Sequence, residues 1–336
     1  MNDYIDLPFE DEGGAATAPR PRRRTALIVL LIVLALIIAG GIVAGTYLNS
    51  LKNAYEKHTT VTLDDDTDLT GEGQNILLLG SDKRSTEDAK AEGVSGQRSD
   101  TIMLVHIPAD GGEAYIVSFP RDLYVDIPGH GKDRINAALA FGGLPLAVTT
   151  LENYTQVPID HVALIDFDGI KAIVDSLGGV DVNIPKSFTR DGKTFTQGTQ
   201  HLDGDEALVF ARERKSFADG DFQRNRDQQQ LLKGIAVEFI SRDTLTSPGK
   251  LKDAVESISP YLTTDDGLDA GTLVKLGWDN RSLRGSDLHF LEAPHGAPTT
   301  TSGGASVVSS DESGMDELRK CLKDDTMEQY AADQDG

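Results

Sequence analysis

Three short apolar runs alternate with polar segments between residues 75 and 122. The runs Ile76–Leu79, Ile102–Ile107 and Tyr115–Phe119 are rich in aliphatic and β-branched residues and are bounded by Gly, Pro and Asp. This pattern predicts buried strands. Charged residues stand at the ends of these runs, where strands present side chains to a site: Asp82, Arg98, Asp100 and Arg121.

Two carboxylates and two guanidinium groups at strand ends indicate a site for a divalent metal and a phosphate. Magnesium binds one or two carboxylates and completes its shell with substrate oxygens. Arginine binds phosphate oxygens in pairs and keeps its charge. We therefore expect phosphate chemistry at these four residues.

Predicted helices and strands alternate in the next part of the chain. The helices are Ala137–Phe141, Leu146–Leu151 and Phe167–Leu177, and the strands are His161–Ile165 and Val180–Ile184. Gly142, Gly143 and Pro145 end the first helix and start the second. Such alternation indicates an α/β layered domain. Weaker patterns beyond Ser241 predict helices at Leu251–Ile258 and Leu268–Leu276 and a strand at Leu288–Leu291.

Two arginines follow a predicted helix near residue 210. Asp203 or Asp205 can cap this helix, which runs through Phe210. Arg212 and Arg214 would point the same way in extended chain but diverge by about 200° on a helix. Both can reach one anion if the helix ends near Phe210. The alternative is a solvated helix end of mixed charge.

The following helix carries a second polar motif. Asp221 can cap it, and Asp221, Arg224 and Gln228 are three and four residues apart, so they can share one face.

The N-terminal segment predicts a membrane anchor. Residues 1–24 form an acidic tail that ends in the arginine cluster Arg20–Arg24, and Thr25–Leu48 carries no charge. At ~1.5 Å per residue this segment crosses a hydrocarbon core of about 30 Å. It is longer than the apolar region of about 7–15 residues in a cleaved signal peptide. Because arginines stay on the cytoplasmic side, we expect a disordered cytoplasmic tail, a transmembrane helix over 25–48, and an extracellular remainder.

We divide that remainder into three parts. Residues 49–73 are predicted to be a stalk that starts as a helix and becomes polar, residues 74–295 the α/β domain, and residues 296–336 a loop and C-terminal helical tail.

Composition excludes several classes of function. The 336 residues are 39% hydrophobic and carry a formal net charge of −22. We therefore expect no nucleic-acid partner, because DNA and RNA binding relies on a basic face. The single cysteine, Cys321, excludes an intramolecular disulfide and a CxxC metal site. The sequence contains no GxSxG, HExxH or P-loop pattern.

Seven motifs, in order behind one N-terminal anchor, resemble the LytR-CpsA-Psr family of cell-wall enzymes. They are NILLLGSD, RSDTIMLVHI, SFPRD, INAALAFGG, LGGVDVNIP, ALVFARERK and DFQRNRDQQ, and the resemblance covers roughly residues 75–240. It implies an α/β/α sandwich with a central mixed sheet outside the membrane. It also implies a magnesium-dependent phosphotransferase that moves an anionic glycopolymer from a polyprenyl pyrophosphate carrier to the C6 hydroxyl of N-acetylmuramic acid in peptidoglycan.

The resemblance assigns roles residue by residue. Asp82 and Asp100 resemble the metal ligands, and with Arg98 and Arg121 they form the catalytic set. The residues that would hold the pyrophosphate are Arg98, Arg121, Arg212, Arg214, Asp221, Arg224 and Gln228. The lipid would need an apolar groove; the runs Ile170–Leu177 and Leu231–Ile240 are apolar enough, as ordinary core helices are.

Two features depart from the family pattern. The loop between Asp82 and Arg98 is longer than usual, which affects the relative placement of the two aspartates. The last motif commonly has arginine just before its glutamine, whereas this chain has Asp227 there and Arg226 one residue earlier. A shift of one residue turns a helical side chain by about 100°.

Two other functions fit the same motifs. A membrane-anchored binding or regulatory protein would hold envelope polymer without chemistry and would need the arginines but not Asp82 and Asp100. A polyprenyl pyrophosphate hydrolase would use water as the acceptor at the same site. Teichoic acid, capsule, arabinogalactan or another glycan would each fit as the polymer.

Overall fold

A seven-stranded mixed sheet forms the centre of the computed structural model, which describes residues 45–63, 67–81, 99–213, 220–241, 243–244 and 247–335. The strands are β1 (Thr59–Val61), β2 (Gln74–Ser81), β3 (Ser99–Ile107), β4 (Ala114–Phe119), β5 (Tyr124–Ile127), β6 (Gly131–Arg134), β7 (His161–Asp166), β8 (Val180–Ile184), β9 (Phe188–Arg190), β10 (Lys193–Phe195), β11 (Gly198–Leu202), β12 (Leu262–Asp265), β13 (Leu288–Glu292), β14 (His295–Thr300) and β15 (Ser306–Ser310). The helices are α1 (Ala137–Thr155), α2 (Phe167–Leu177), α3 (Gly204–Ala211), α4 (Gly220–Phe239), α5 (Pro248–Ile258), α6 (Ala270–Asp279), α7 (Glu312–Lys323) and α8 (Met327–Asp335).

The central sheet has the strand order β1-β12-β7-β2-β3-β4-β13. The three runs that predicted strands form its middle: β2 pairs antiparallel with β3, and β3 antiparallel with β4. Parallel pairs join β2 to β7 and β4 to β13. The predicted α/β class with a central mixed sheet is thereby confirmed.

One face of the sheet packs against α1, α7 and α8 in the larger of two hydrophobic cores. The predicted break in α1 is confirmed, because Gly142 and Gly143 leave helical geometry. Gly143 has φ 68° and ψ −159°, a conformation that is essentially restricted to glycine. Pro145 follows at the start of the second helical piece, where it interrupts no hydrogen bond that the helix needs.

The second core lies among α2, α3, α4, α5 and the two-stranded sheet β8–β11. Asp166 caps α2 by accepting a hydrogen bond from the Gly169 N–H at 2.9 Å. Asp203, one of the two predicted caps, starts α3 with a capping box shared with Glu206. Across the other face of the sheet lies α4, where the Lys233 ammonium is 5.1 Å from the Phe290 ring of β13.

Several predicted boundaries differ from the structure. Within the predicted stalk, Thr59–Val61 adds the edge strand β1 to the central sheet beside β12. The predicted strand Val180–Ile184 exists but pairs with β11 outside the central sheet. The predicted loop after residue 295 instead contains the hairpin β14–β15, whereas the predicted helical tail forms α7 and α8, which contribute buried residues to the larger core. Asp221 is not the cap of α4, because that helix begins one residue earlier, at Gly220.

Residues Asn49–Gly336 form one unit. Of the predicted transmembrane helix, residues 25–44 lie outside the described residues, and residues 45–55 are helical. Among the helices that the structure describes, none is both long and apolar enough to cross a membrane.

Candidate active site at one edge of the sheet

Asp100 and Arg121, two of the predicted site residues, belong to chain segments that meet at one end of the central sheet. Here β2, β4 and β7 end and β3 begins: Ser81 is paired with Ser99 on one side and with Asp166 on the other. Arg121 follows the end of β4 by two residues. We call this region the polar edge and define it by Ser81, Ser99, Asp100, Arg121 and Asp166.

A β-bulge shapes the polar edge at Asp100. Gly80 pairs with Thr101, but the next residue, Ser81, pairs with Ser99, so Asp100 is the extra residue in β3. Bulges increase local twist and occur often beside active sites. The buried Ser99 hydroxyl fixes the bulge, since its Oγ lies 3.1 Å from the Gly80 carbonyl and 2.6 Å from the Thr101 carbonyl.

The residues next to Asp82 and Arg98 in the chain are paired with each other in the sheet. Asp82 follows Ser81 and Arg98 precedes Ser99, and these two serines are directly paired. Asp82 and Arg98 themselves lie outside the described residues. Their neighbours nevertheless meet at the polar edge, as the sequence predicted.

Arg121 lies in a loop whose backbone is fixed from three directions. The Arg121 carbonyl accepts a hydrogen bond from the Asn136 N–H at 3.2 Å, and the Leu123 carbonyl accepts one from the Ile135 N–H at 2.8 Å. The Asp122 carbonyl accepts a third, from the Val308 N–H at 2.8 Å. Because the Arg121 side chain is only 14% exposed, both ends of this arginine are constrained.

Asp122 links Arg121 to a second arginine that the sequence reasoning missed. The Asp122 carboxylate lies 3.4 Å from Nε of Arg121 and 3.8 Å from Nη1 of Arg134. Nε of Arg134 also lies 3.9 Å from the Asp133 carboxylate, so two guanidinium groups and two carboxylates form a group of balanced charge. Arg134 stands immediately before the INAALAFGG motif, and that position was the available signal.

Gln228 connects the helices α3 and α4 to the strand β3, which lies more than a hundred residues earlier in the sequence. Its amide Nε2 donates to the Ala211 carbonyl at 3.1 Å, and its Oε1 accepts from the Thr101 hydroxyl at 3.1 Å. The end of α3 and the middle of α4 are therefore fixed beside β3, one residue from Asp100. Arg212 is the exposed C-cap of α3, so its backbone is placed near the polar edge.

The remaining predicted binding residues are only partly described. Asp221, Arg224 and Arg226 belong to the described helix α4, but their side chains lie outside the description. Arg214 lies outside it entirely.

Two buried carboxylates near the same junction were not predicted. Glu213 has no exposed side-chain surface, and its Oε2 lies 3.8 Å from Nε of Arg190. The alternative of a solvated helix end at residues 211–215 is therefore wrong at Glu213. Asp227, which replaces the arginine expected from the family pattern, is completely buried next to Gln228. A buried aspartate at that position favours a structural role over contact with an anion.

A narrow cavity of about 10 Å³ lies between the sheet and α1. Its lining is apolar apart from Ser99 and Asn136: Leu77, Leu79, Ser99, Ile102, Ile135, Asn136, Leu139, Ala147 and Leu151. The Asn136 Oδ1 atom is buried and accepts no hydrogen bond from the described residues. By contrast, the runs Ile170–Leu177 and Leu231–Ile240 contribute their buried residues to the second core.

No cluster of three His, Cys, Asp or Glu side chains among the described residues could hold a metal ion. That finding does not include Asp82 or the side chain of Asp100.

The model of the LytR_cpsA_psr family matches residues 44–324, which is most of the chain. This protein belongs to the LytR-CpsA-Psr family. The match extends well beyond the motifs that carried the resemblance and includes β1, β12, β13 and α7.

Relatives within the LytR-CpsA-Psr family carry transferase names. A Bacillus anthracis protein named polyisoprenyl-teichoic acid–peptidoglycan teichoic acid transferase TagU is 37% identical over 257 residues, which are 74% of this chain and 82% of that protein. The crystal structure of Bacillus subtilis TagV has a TM-score of 0.63 at 27% identity, with 76% of this chain and 97% of TagV covered. A structure described as TagT bound to LI-WTA has a TM-score of 0.59 at 26% identity, with 78% and 97% covered.

Proposed function

We propose that this protein is a transferase that moves a glycopolymer from a polyprenyl pyrophosphate carrier to the muramic acid C6 hydroxyl of peptidoglycan. The observation that carries the proposal is the junction at Gln228, which brings the arginine motif after α3 beside the Asp100 bulge and the polar edge. The names of the relatives support the reaction class.

The reaction is a phosphoryl transfer. The acceptor oxygen attacks the phosphorus that carries the glycopolymer, the bond to the bridging oxygen breaks, and polyprenyl phosphate leaves. A phosphodiester to the acceptor forms, and the hydroxyl proton passes to a base. Negative charge builds on the equatorial and leaving oxygens, so fixed cations are the main contribution that the protein makes.

Arg121 is suited to stabilise that charge. Its backbone is held by the Asn136 N–H, and its guanidinium is oriented by Asp122. Arg134, on the other side of Asp122, places a second guanidinium near Arg121. A group held in place before the reaction needs no reorganisation as charge develops, which is why such contacts are effective.

Asp82 and Asp100 would hold the magnesium ion. Two carboxylates match the ligands that magnesium prefers, and it leaves the other positions to water and phosphate oxygens. The bulge at Asp100, opposite the chain neighbour of Asp82, fits such a pair. When bound, the ion would neutralise pyrophosphate oxygens.

The polyprenyl tail would enter between the sheet and α1. The cavity there is apolar and begins at Ser99 and Asn136 beside the polar edge. It must widen to admit a lipid, and we expect the two pieces into which Gly142 and Gly143 divide α1 to shift relative to the sheet when the lipid binds.

The test uses the full-length chain in lipid vesicles with lipid-linked glycopolymer, with and without peptidoglycan and magnesium. We expect magnesium-dependent release of polyprenyl phosphate and a new phosphodiester on peptidoglycan. Arg121→Ala should lower the rate roughly a hundredfold or more, the effect of removing about 2.7–4 kcal/mol of transition-state stabilisation. Asp100→Ala should lose activity, whereas Asp126→Ala, at an exposed position on β5, should keep it.

Two outcomes would overturn the proposal. Substrate that binds but stays intact, equally in the wild type and Asp100→Ala, would identify a binding protein. Phosphate release that does not transfer polymer to peptidoglycan would identify a hydrolase.

A further inference from the structure

The helix α6 presents an apolar face that the described residues leave largely exposed. Val274 is 51% exposed and Trp278 is 68% exposed, and their spacing of four residues places them on one face. None of the ten residues of α6 is buried. A helix that leaves an aliphatic and an aromatic side chain this exposed marks an interaction surface.

This helix crosses the end of the sheet opposite the polar edge. It follows β12, which runs antiparallel to β7 and so ends where β7 and β2 begin. At its other end, the Asn280 Oδ1 atom lies 3.7 Å from the position of a Cβ on Gly111, in the turn between β3 and β4. The eight residues of β2, at ~3.3 Å each, separate the two ends of the sheet by about 26 Å.

The same helix begins close to the segment that leads from the predicted membrane span. Tyr55 is buried, and its hydroxyl donates to the Leu268 carbonyl at 2.7 Å, two residues before Ala270. The predicted span ends at Leu48, and residues 49–55 are helical. At ~1.5 Å per residue that segment is about 10 Å long. Tyr55, which contacts the chain just before α6, therefore follows the predicted span by only seven residues.

The chemistry of the exposed face matches a membrane–water interface. Tryptophan concentrates there because its ring is apolar and its N–H is polar. The Arg281 guanidinium stacks at 5.0 Å over the Trp278 ring, and Lys275 is 75% exposed and 3.3 Å from Asp279. Interfacial helices combine an apolar face of this kind with flanking cations.

We propose that α6 lies in the headgroup region of the membrane, with Val274 and Trp278 inserted among the lipids. This inference rests on the proposed function and on the membrane anchor that the sequence predicts. It orients the polar edge away from the membrane and toward the cell wall, where the acceptor is. The carrier tail then runs through the domain, along the cavity beneath α1.

Trp278 allows a direct test because it is the only tryptophan in the chain. The full-length protein is placed in vesicles with or without phospholipids brominated on the acyl chains, and its fluorescence is recorded. We expect blue-shifted emission that brominated lipids quench and aqueous iodide does not. Val274→Asp should shift the emission to the red and reduce quenching by lipid while leaving transferase activity unchanged.

A relocated tryptophan provides the matched control. Tyr261 is 38% exposed and lies just before β12, at the polar-edge end of the sheet. In the double variant Trp278→Phe and Tyr261→Trp, we expect quenching by iodide and none by brominated lipids.

The remaining outcomes separate failure of this proposal from failure of the anchor. A chain that withstands carbonate washing but whose Trp278 is quenched by iodide as readily as the relocated tryptophan overturns the placement of α6 and leaves the anchor intact. Trp278 shielded from iodide yet unaffected by brominated lipids indicates contact with a protein and overturns the lipid proposal. A chain that carbonate removes from the vesicles while Trp278 is still quenched by brominated lipids overturns the anchor alone. A chain that carbonate removes and whose Trp278 brominated lipids do not quench overturns both the anchor and the placement of α6.

Discussion

Gln228 lies where β3, α3 and α4 meet, and the two polar ends of its side-chain amide make different contacts. The NH₂ group donates to the Ala211 carbonyl, and the oxygen accepts from the Thr101 hydroxyl. The sequence predicted this residue as a ligand of the pyrophosphate. Its contacts within the protein support a positioning role, in which it holds Arg212 and Asp100 near each other.

Replacing Gln228 by Glu should disrupt this junction. A carboxylate oxygen would then face the Ala211 carbonyl, and a buried acceptor would be left without its donor. We expect a loss of about 1–3 kcal/mol in the free energy of unfolding, together with a lower kcat. The matched control is Gln229→Glu, one position along α4, which should leave both nearly unchanged. Urea unfolding and transferase assays measure the two effects, and equal effects of both substitutions would contradict the assignment.

Among the elements, α1 depends on a single backbone conformation for its break. Gly143 has φ 68°, and an L side chain there is strained. We expect Gly143→Ala to destabilise the fold by about 1–3 kcal/mol. Gly249→Ala is the control, because its Cβ would meet open space on α5, and it should be neutral or stabilising by up to about 1 kcal/mol. Thermal unfolding of the two variants in detergent would decide, and equal stability would count against strain at Gly143.

The strands β7 and β12 are joined by a pair of titrating groups. His161 Nδ1 lies 2.9 Å from Asp265 Oδ2, and this hydrogen bond raises the pKa of His161 against the effect of burial. Burial alone would raise the pKa of Asp265. The hydrogen bonds from His161 and from the N–H groups of Val162 and Leu268 outweigh burial and hold that pKa below its usual value.

The two shifts define a pH window for stability. Protonated His161 stabilises the fold fully below its unfolded pKa of about 6.5, and this contribution is lost as pH rises through the raised pKa. Ionised Asp265 contributes above its unfolded pKa of about 3.9 and ceases to do so as pH falls through the lowered one. We expect urea unfolding to show less stability on the alkaline side. His161→Gln should reduce that loss and His130→Gln should retain it in full. A pH profile of His161→Gln parallel to that of the wild type would exclude the pair as a cause.

The pattern of apolar residues along the chain predicted the helices and strands that are buried. It missed the exposed strands, which are held only by hydrogen bonds to a neighbouring strand. The runs that became β2, β3 and β4, and the helix Phe167–Leu177, were found because burial leaves a periodic signal in the sequence. The strand His295–Thr300 is largely exposed, so no apolar alternation marks it. In the site, strand ends indicated where Asp100 and Arg121 belong. The contacts of Gln228 and Asp122 join residues from distant segments, which no local pattern encodes.

At the scale of the whole molecule, the C-terminal segment is part of the main domain. The predicted division at residue 295 placed a loop and a helical tail outside it. In the structure, β15 contacts the loop after β4, where the Val308 N–H donates to the Asp122 carbonyl. The helix α7 packs beneath α1 in the larger core. The sequence showed that this segment has helical composition, but it did not show that the apolar face of α7 packs against α1.

The C-terminal helices should therefore be required for stability. Leu318 is fully buried on α7, within the core that contains the apolar side of β2, β3 and β4. We expect Leu318→Ala to cost about 2–5 kcal/mol, because it removes buried methyl groups and leaves a cavity. Lys320→Ala, at an exposed position on the same helix, should change stability by less than about 0.5 kcal/mol. Urea unfolding of the full-length chain measures both. If Leu318→Ala unfolds at the wild-type urea midpoint, α7 is not part of the main core and the loop that holds Arg121 does not depend on it. If both stability and activity fall, the C-terminal segment supports that loop.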